Sequence, residues 1–179
     1  LRNWVASVNG ERLYLKGTNL GPASIDLAST TEADHRRDLA TAKAAGLDLV
    51  RVHGHVAGPA LYREADRTGL LVWQDFPLHR GHARSVARQT TRQVERLVDQ
   101  LGHHPSLLLW CAHNEPEVDA AVASSGASTV ARLLRRQLPS WNRTVLDRST
   151  RRAFAAADPT RASIAHSGVL PHPPQLDGT

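Results

Sequence analysis

The chain predicts an α/β fold of parallel strands joined by helices, and three observations carry that prediction. Short apolar runs alternate with amphipathic stretches along the 179 residues, the pattern of repeated strand–helix units. The helical stretches are punctuated by residues that start and stop helices, such as Pro59 with Gly69 and, later, Gly102. Apolar runs also end abruptly in polar groups, as Leu107-Leu108-Leu109-Trp110-Cys111-Ala112 does in His113-Asn114-Glu115-Pro116. Such a run, bounded by turn residues, reads as a strand buried on both faces. In barrels of parallel strands and helices, the carboxyl ends of the strands carry the chemistry.

The elements follow in order. Val5-Ala6-Ser7-Val8, Asn9-Gly10 and Arg12-Leu13-Tyr14-Leu15 predict a hairpin whose turn takes positive φ. Residues 12–17 lead into Gly17-Thr18-Asn19, a first rim. A helix begins near Thr31, with Ser29 and Glu32 spaced as a capping box. Leu39, Ala42 and Ala45 form its apolar stripe, and Gly46 is its stop. Leu47 to His53 is a second strand, Pro59 to Gly69 bounds the next helix, and Leu70 to Asp75 is a third strand. Val86, Thr90, Val94, Leu97 and Leu101 step by three and four, a helical stripe. Pro105 opens the fourth strand. A longer helical region covers residues 128–157, interrupted at Pro139. Ala162 to His166 is a short fifth strand. A closed eight-unit barrel takes about 250 residues, so the chain supplies five of the eight units.

Composition narrows the function classes. Hydrophobic residues make up 41% and charged residues 22%, the balance of a globular domain. No run reaches membrane-spanning length and no leader is recognised, so no membrane partner is expected. The sequence leaves the compartment open. The net charge of +5 comes mainly from arginines interleaved with acids, as in Arg88, Arg92, Glu95, Arg96 and Asp99. That pattern is a solvated helix face, and no recognition motif accompanies it, so nucleic acid is not an expected partner. Cys111 lies inside an apolar strand and is expected to be a buried, inert thiol. The chain begins at Leu1, lacks Met and ends in a polar segment, and the expectation is a piece of a longer protein.

Two motifs resemble the catalytic barrel of glycoside hydrolase family 2. Residues His103-His104-Pro105-Ser106-Leu107-Leu108-Leu109-Trp110-Cys111-Ala112-His113-Asn114-Glu115 follow the family pattern Asn-His-Pro-Ser, three apolar residues, Trp, a small residue, then Asn-Glu. His103 replaces the Asn, and Cys111 replaces Gly or Ser. Arg51-Val52-His53-Gly54-His55, followed by Asp66-Arg67-Thr68-Gly69, resembles a second family motif, with Val56-Ala57 in place of its usual Tyr-Pro. Lys16-Gly17-Thr18-Asn19 and Trp73-Gln74-Asp75-Phe76-Pro77 resemble the β-mannosidase side of the family. The likeness runs from about Trp4 to Ser167.

The resemblance implies a (β/α)8 TIM barrel, here as its first five units over residues 1–179. Residues 1–11 would be the junction with a preceding β-sandwich domain. It implies a retaining exo-β-glycosidase acting by double displacement on a carbohydrate substrate without a cofactor. Such an enzyme needs two carboxyl groups about 5–5.5 Å apart, one as acid/base and one as nucleophile. Glu115 takes the acid/base position, Asn114 the contact to the sugar 2-hydroxyl, and Arg51 the support of the nucleophile. Asn19, His55, Trp73, Asp75, Trp110 and His113 are candidate substrate-binding residues. Trp73 or Trp110 would supply an apolar wall that raises the acid's pKa. The family's nucleophile is a Glu on a later strand. No acid after Glu115 ends an apolar strand, so the nucleophile is expected beyond Thr179 and the isolated chain is expected to be inactive.

Two other readings stay open. His53-Gly54-His55 has the spacing of a metal-binding pair, and His79, His82, His103, His104 and His113 are available. A metal-dependent barrel hydrolase is therefore an alternative, although no His/Asp set completes a site, and no metal ligand is assigned. His103 and His104 precede a strand, on the rim where stability and not catalysis is expected. A non-catalytic carbohydrate-binding module is the third reading.

Overall fold

The computed structural model describes residues 5–116 and 139–167. The expected helical stretch before Pro139 lies outside the described residues, as do Trp4 and the segment after Ser167. Strands β1 (Ala6–Val8) and β2 (Glu11–Leu13) form an antiparallel hairpin with Val8 opposite Glu11. Its turn residues Asn9 and Gly10 take φ of 51° and 86°, as a two-residue turn of this hand requires. The hairpin is a separate two-stranded sheet.

The main sheet has five parallel strands in sequence order: β3 (Gly17–Leu20), β4 (Leu49–Val52), β5 (Leu71–Asp75), β6 (Leu107–Cys111) and β7 (Ala162–Ile164). This is the partial barrel sheet that the strand–helix alternation predicts. One placement is corrected. Gly17-Thr18-Asn19 is not a rim after a strand but the first barrel strand itself. Gly17 permits this, because a Cβ there would lie 3.0 Å from the carbonyl oxygen of Leu49 on the neighbouring strand.

Helices α1 (Glu32–Ala44), α2 (Pro59–Thr68), α3 (Ala87–Leu101) and α4 (Asp147–Ala157) connect these strands. The capping box of α1 is Thr31 with Asp34, not Ser29 with Glu32. Asp34 N–H donates to Thr31 Oγ1 at 3.3 Å, and Thr31 N–H donates to the Asp34 carboxylate at 3.0 Å. Ser29 instead donates its hydroxyl to the Asp26 carbonyl at 2.8 Å, one turn earlier. Pro59 opens α2, and Gly69 closes it at φ 68°, a left-handed conformation that glycine adopts without steric cost. On α3 the expected stripe is buried at Thr90, Val94, Leu97 and Leu101. A π-helical turn, Trp141–Leu146, precedes α4 and is capped by Ser140.

Strand alternation sorts the side chains. Val50, Val52, Val72 and Gln74 face the helices and are fully buried, while Arg51 and Trp73 project to the opposite, inner face and stay half-buried. The helix-facing core joins Leu39, Leu61, Tyr62, Leu101, Trp110 and Phe154, each worth roughly 1.5–3 kcal/mol of hydrophobic burial. Gln74 is satisfied inside it, accepting from Tyr62 Oη at 2.6 Å and donating to the His55 carbonyl at 2.7 Å. Between β5 and β6, Val72 lies opposite Leu107 but Trp73 lies opposite Leu109. Leu108 is thus an extra residue, a bulge, and it sets the facing of everything after it on β6.

Candidate active site

The carboxyl ends of β4, β5 and β6 meet in one cluster. The Arg51 Nε–H lies 3.1 Å from each Asp75 oxygen, and Nη2 lies 2.8 Å from Oδ2. Nη2 also lies 2.6 Å from Asn114 Oδ1 and 2.6 Å from Ser167 Oγ. Trp73 Nε1–H donates to Asp75 Oδ1 at 3.0 Å, and the Gly54 N–H donates to Oδ2 at 3.2 Å. The Arg51 guanidinium sits 5.1 Å from the Trp73 ring centroid, a cation–π distance. Asp75 is fully buried, so its charge depends on this pairing.

Asn114 follows β6 and is held by its backbone as well. Its N–H donates to the Leu78 carbonyl at 2.8 Å, and its own carbonyl accepts from Arg80 N–H at 3.0 Å. Its side-chain Nδ2 lies 2.6 Å from His79 Nδ1. Glu115 comes next, with φ of 46°, a left-handed conformation that costs a non-glycine residue about 1 kcal/mol. Its N–H donates to the Ser167 carbonyl at 2.9 Å, and Ser167 N–H donates to the His113 carbonyl at 3.1 Å. The residues after β7 therefore hold the residues after β6. Among the described residues, no hydrogen-bonding partner engages the Glu115 carboxylate.

The expected site residues divide. Arg51, Trp73, Asp75 and Asn114 come together, and Glu115 is tied in through its backbone bond to Ser167. Asn19 stands exposed on β3, in register with Arg51. His55 turns its Nδ1 toward the His53 carbonyl, 3.1 Å away. Three assignments are corrected. Trp110 is not a pocket residue: it pairs with Gln74 on the helix side, stacks on Phe154 at 4.9 Å and donates Nε1–H to Asp158 at 2.9 Å. Asp75 does not offer its oxygens to a sugar, because Arg51, Trp73 and Gly54 occupy them and the residue is closed to solvent; it positions Arg51. His113 is not a sugar contact. It is fully buried, its Nε2 lies 2.6 Å from the Arg80 carbonyl, and burial pushes its pKa down to about 4.

Cys111 is the buried thiol expected. Burial, with the Asp75 charge beside it, pushes its pKa up to about 12. Among the described residues, no group of three His, Cys, Asp or Glu side chains is placed to hold a metal ion. No described helix is long and apolar enough to cross a membrane. Sequence reasoning missed two residues. Ser167 is one serine among many, one residue past the expected fifth strand. The sequence offers His79 only as an available metal ligand, and its spacing from Asn114 carries no signal.

No protein-family model matches the chain. The chain is 32% identical to a β-mannosidase A of Aspergillus terreus over 124 residues, 64% of this chain and 13% of that protein. It is 33% identical to a β-mannosidase of Rattus norvegicus over 120 residues, 62% of this chain and 13% of that protein. Among solved structures, a β-D-mannosidase from Dictyoglomus thermophilum superposes with a TM-score of 0.71 at 24% identity. It covers 90% of this chain and 20% of that one, and it shows the fold. A Bacteroides uniformis β-glucuronidase superposes with a TM-score of 0.63 at 25% identity, covering 87% of this chain and 19% of that one. The chain thus spans about an eighth of the length of the β-mannosidases it matches.

Proposed function

We propose, from a chain that is part of a glycoside hydrolase family 2-like β-glycosidase domain, that it supplies the acid/base half of a retaining exo-β-glycosidase site. The observation that carries the reading is the 2.6 Å hydrogen bond from Arg51 Nη2 to Asn114 Oδ1. It joins two motifs 63 residues apart in sequence at the carboxyl ends of parallel strands, next in sequence to a carboxyl group that no described residue engages. Glu115 is that group. In the first step it protonates the glycosidic oxygen while a nucleophile carboxylate attacks the anomeric carbon and the carbon–oxygen bond breaks. In the second step it takes a proton from water, which attacks the same carbon and releases the nucleophile. Asn114 contacts the 2-hydroxyl. Arg51, fixed by Asp75, presents its remaining positive field to the nucleophile, and Trp73 offers an apolar face to the sugar. The nucleophile comes from a segment outside residues 1–179. The similar proteins are β-mannosidases and β-glucuronidases, so terminal β-mannosides and β-glucuronides are the first substrates to try.

The test is Glu115→Gln in the full-length protein that carries this sequence. Turnover of alkyl β-glycosides should fall by about 10²–10⁴-fold, the usual worth of a positioned general acid. Activated aryl glycosides should be rescued by azide, which needs no base, to give a β-glycosyl azide. Unchanged turnover in Glu115→Gln would sink the assignment.

A further inference from the structure

We propose that His79 is a substrate-binding residue of this site, donating a hydrogen bond from its Nε2–H to one ring hydroxyl of the bound sugar. The inference rests on the glycosidase reading above and adds a residue to it. The argument starts at Arg51. A guanidinium only donates, so the Asn114 side-chain atom facing it at 2.6 Å is the oxygen. The amide nitrogen therefore faces His79 Nδ1 at 2.6 Å, and an amide nitrogen also only donates. His79 Nδ1 must accept. The neutral ring then carries its single hydrogen on Nε2, the atom on the far side from Asn114.

Position is fixed as firmly as tautomer. His79 lies between Leu78, whose carbonyl accepts from Asn114 N–H, and Arg80, whose N–H donates to the Asn114 carbonyl. The bridge between His79 and Asn114 extends the parallel pairing past the end of β5. The His53 ring packs edge-on against the imidazole, centroids 6.0 Å apart. Leu78, directly before it, is buried and anchors the backbone, while His79 itself is exposed. A histidine held on one nitrogen and open on the other is a ready donor for a neutral hydroxyl, beside the residue that meets the 2-hydroxyl.

His79→Phe and His79→Gln are compared with wild type in the full-length protein. The probes are para-nitrophenyl β-D-mannoside and β-D-glucuronide and the monodeoxy forms of the one turned over. His79→Phe should lose about tenfold in kcat/KM, the size of one hydrogen bond, and His79→Gln, whose amide restores a donor, should recover most of it. One monodeoxy substrate should cost wild type the same tenfold and cost His79→Phe nothing further. A penalty in His79→Phe that is equal on every monodeoxy substrate overturns the inference, because a merely structural role would not select one hydroxyl. If wild type turns over neither glycoside, calorimetric titration with the methyl β-glycosides and their monodeoxy forms decides the same cycle. Selective loss of one hydroxyl's contribution supports His79 even though the enzyme reading has failed. Absence of any binding removes both.

Discussion

The two ends of the parallel sheet treat their carboxylates in opposite ways. At the amino-terminal end, Asp66 accepts from Ser106 N–H at 2.9 Å and lies 2.6 Å from His104 Nδ1. Nearby, Asp158 takes hydrogen bonds from Trp110, Thr160 and Arg161, while Arg161 also donates to the carbonyls of His104 and Leu107. Burial would raise the Asp158 pKa, but the bonds from Thr160, Trp110 and Arg161 hold it at about 2. These groups close on one another. At the carboxyl end Asp75 is equally closed, yet what it holds, Arg51, still reaches outward to Asn114 and Ser167. Beside them Glu115 is strained at φ 46° and unengaged among the described residues. One end spends its polar groups on tying strands together, and the other keeps groups in reserve at a cost in backbone strain.

The sharpest way to break this comparison is Asp75→Ala. It leaves Arg51 half-buried without its main counter-charge, and the loss should be about 3–5 kcal/mol, as when one partner of a buried pair is removed. Urea unfolding measures that loss, and turnover in the full-length protein should vanish with it. Next is the pH response of His113. Its pKa is lowered by burial from 6.5 to about 4, so between those values the unfolded chain binds the proton and the folded chain does not. Stability should therefore fall as pH drops from 6.5 toward 4, by on the order of 3 kcal/mol, and level off below. Subtracting the pH profile of His113→Gln isolates the effect, and identical profiles would refute it.

A smaller effect tests the amino-terminal end. Asp66→Ala should cost about 1–3 kcal/mol, the penalty for stranding the Ser106 N–H and the His104 ring, with kcat unchanged in the full-length protein. A fall in kcat at constant fold would mean that the two ends are not separate. The least effect runs the other way. Glu115→Gly relieves the positive φ and should stabilise the chain by about 1 kcal/mol while removing the acid. A destabilised Glu115→Gly would show that the strain is not real.

Much of the framework was legible because its signals are local. Pro59 and Gly69 bound α2 as expected, and the stripe from Thr90 to Leu101 faces the core. The abrupt end of the apolar run after Ala112 placed Asn114 and Glu115 on the rim, while Arg51 was picked out by the motif it resembles. The misplacement of Trp110 has one cause. Side-chain facing on a strand has period two, so one bulge reverses it. The extra residue at Leu108, set by pairing with a strand more than thirty residues earlier, sends Trp110 to the helices.

The sequence by itself determined the order of strands and helices, the rim after the later strands and the motif residues, because periodicity and turn chemistry act over a few neighbours. Only the tertiary structure decided the partners. Asp75 is captured by Arg51, Ser167 is brought in from beyond β7, His113 is sealed beneath Arg80, and His79 is aligned by Asn114. These contacts join residues 24 to 116 positions apart. A hydrogen bond at that separation exists only once the sheet has brought its strands side by side.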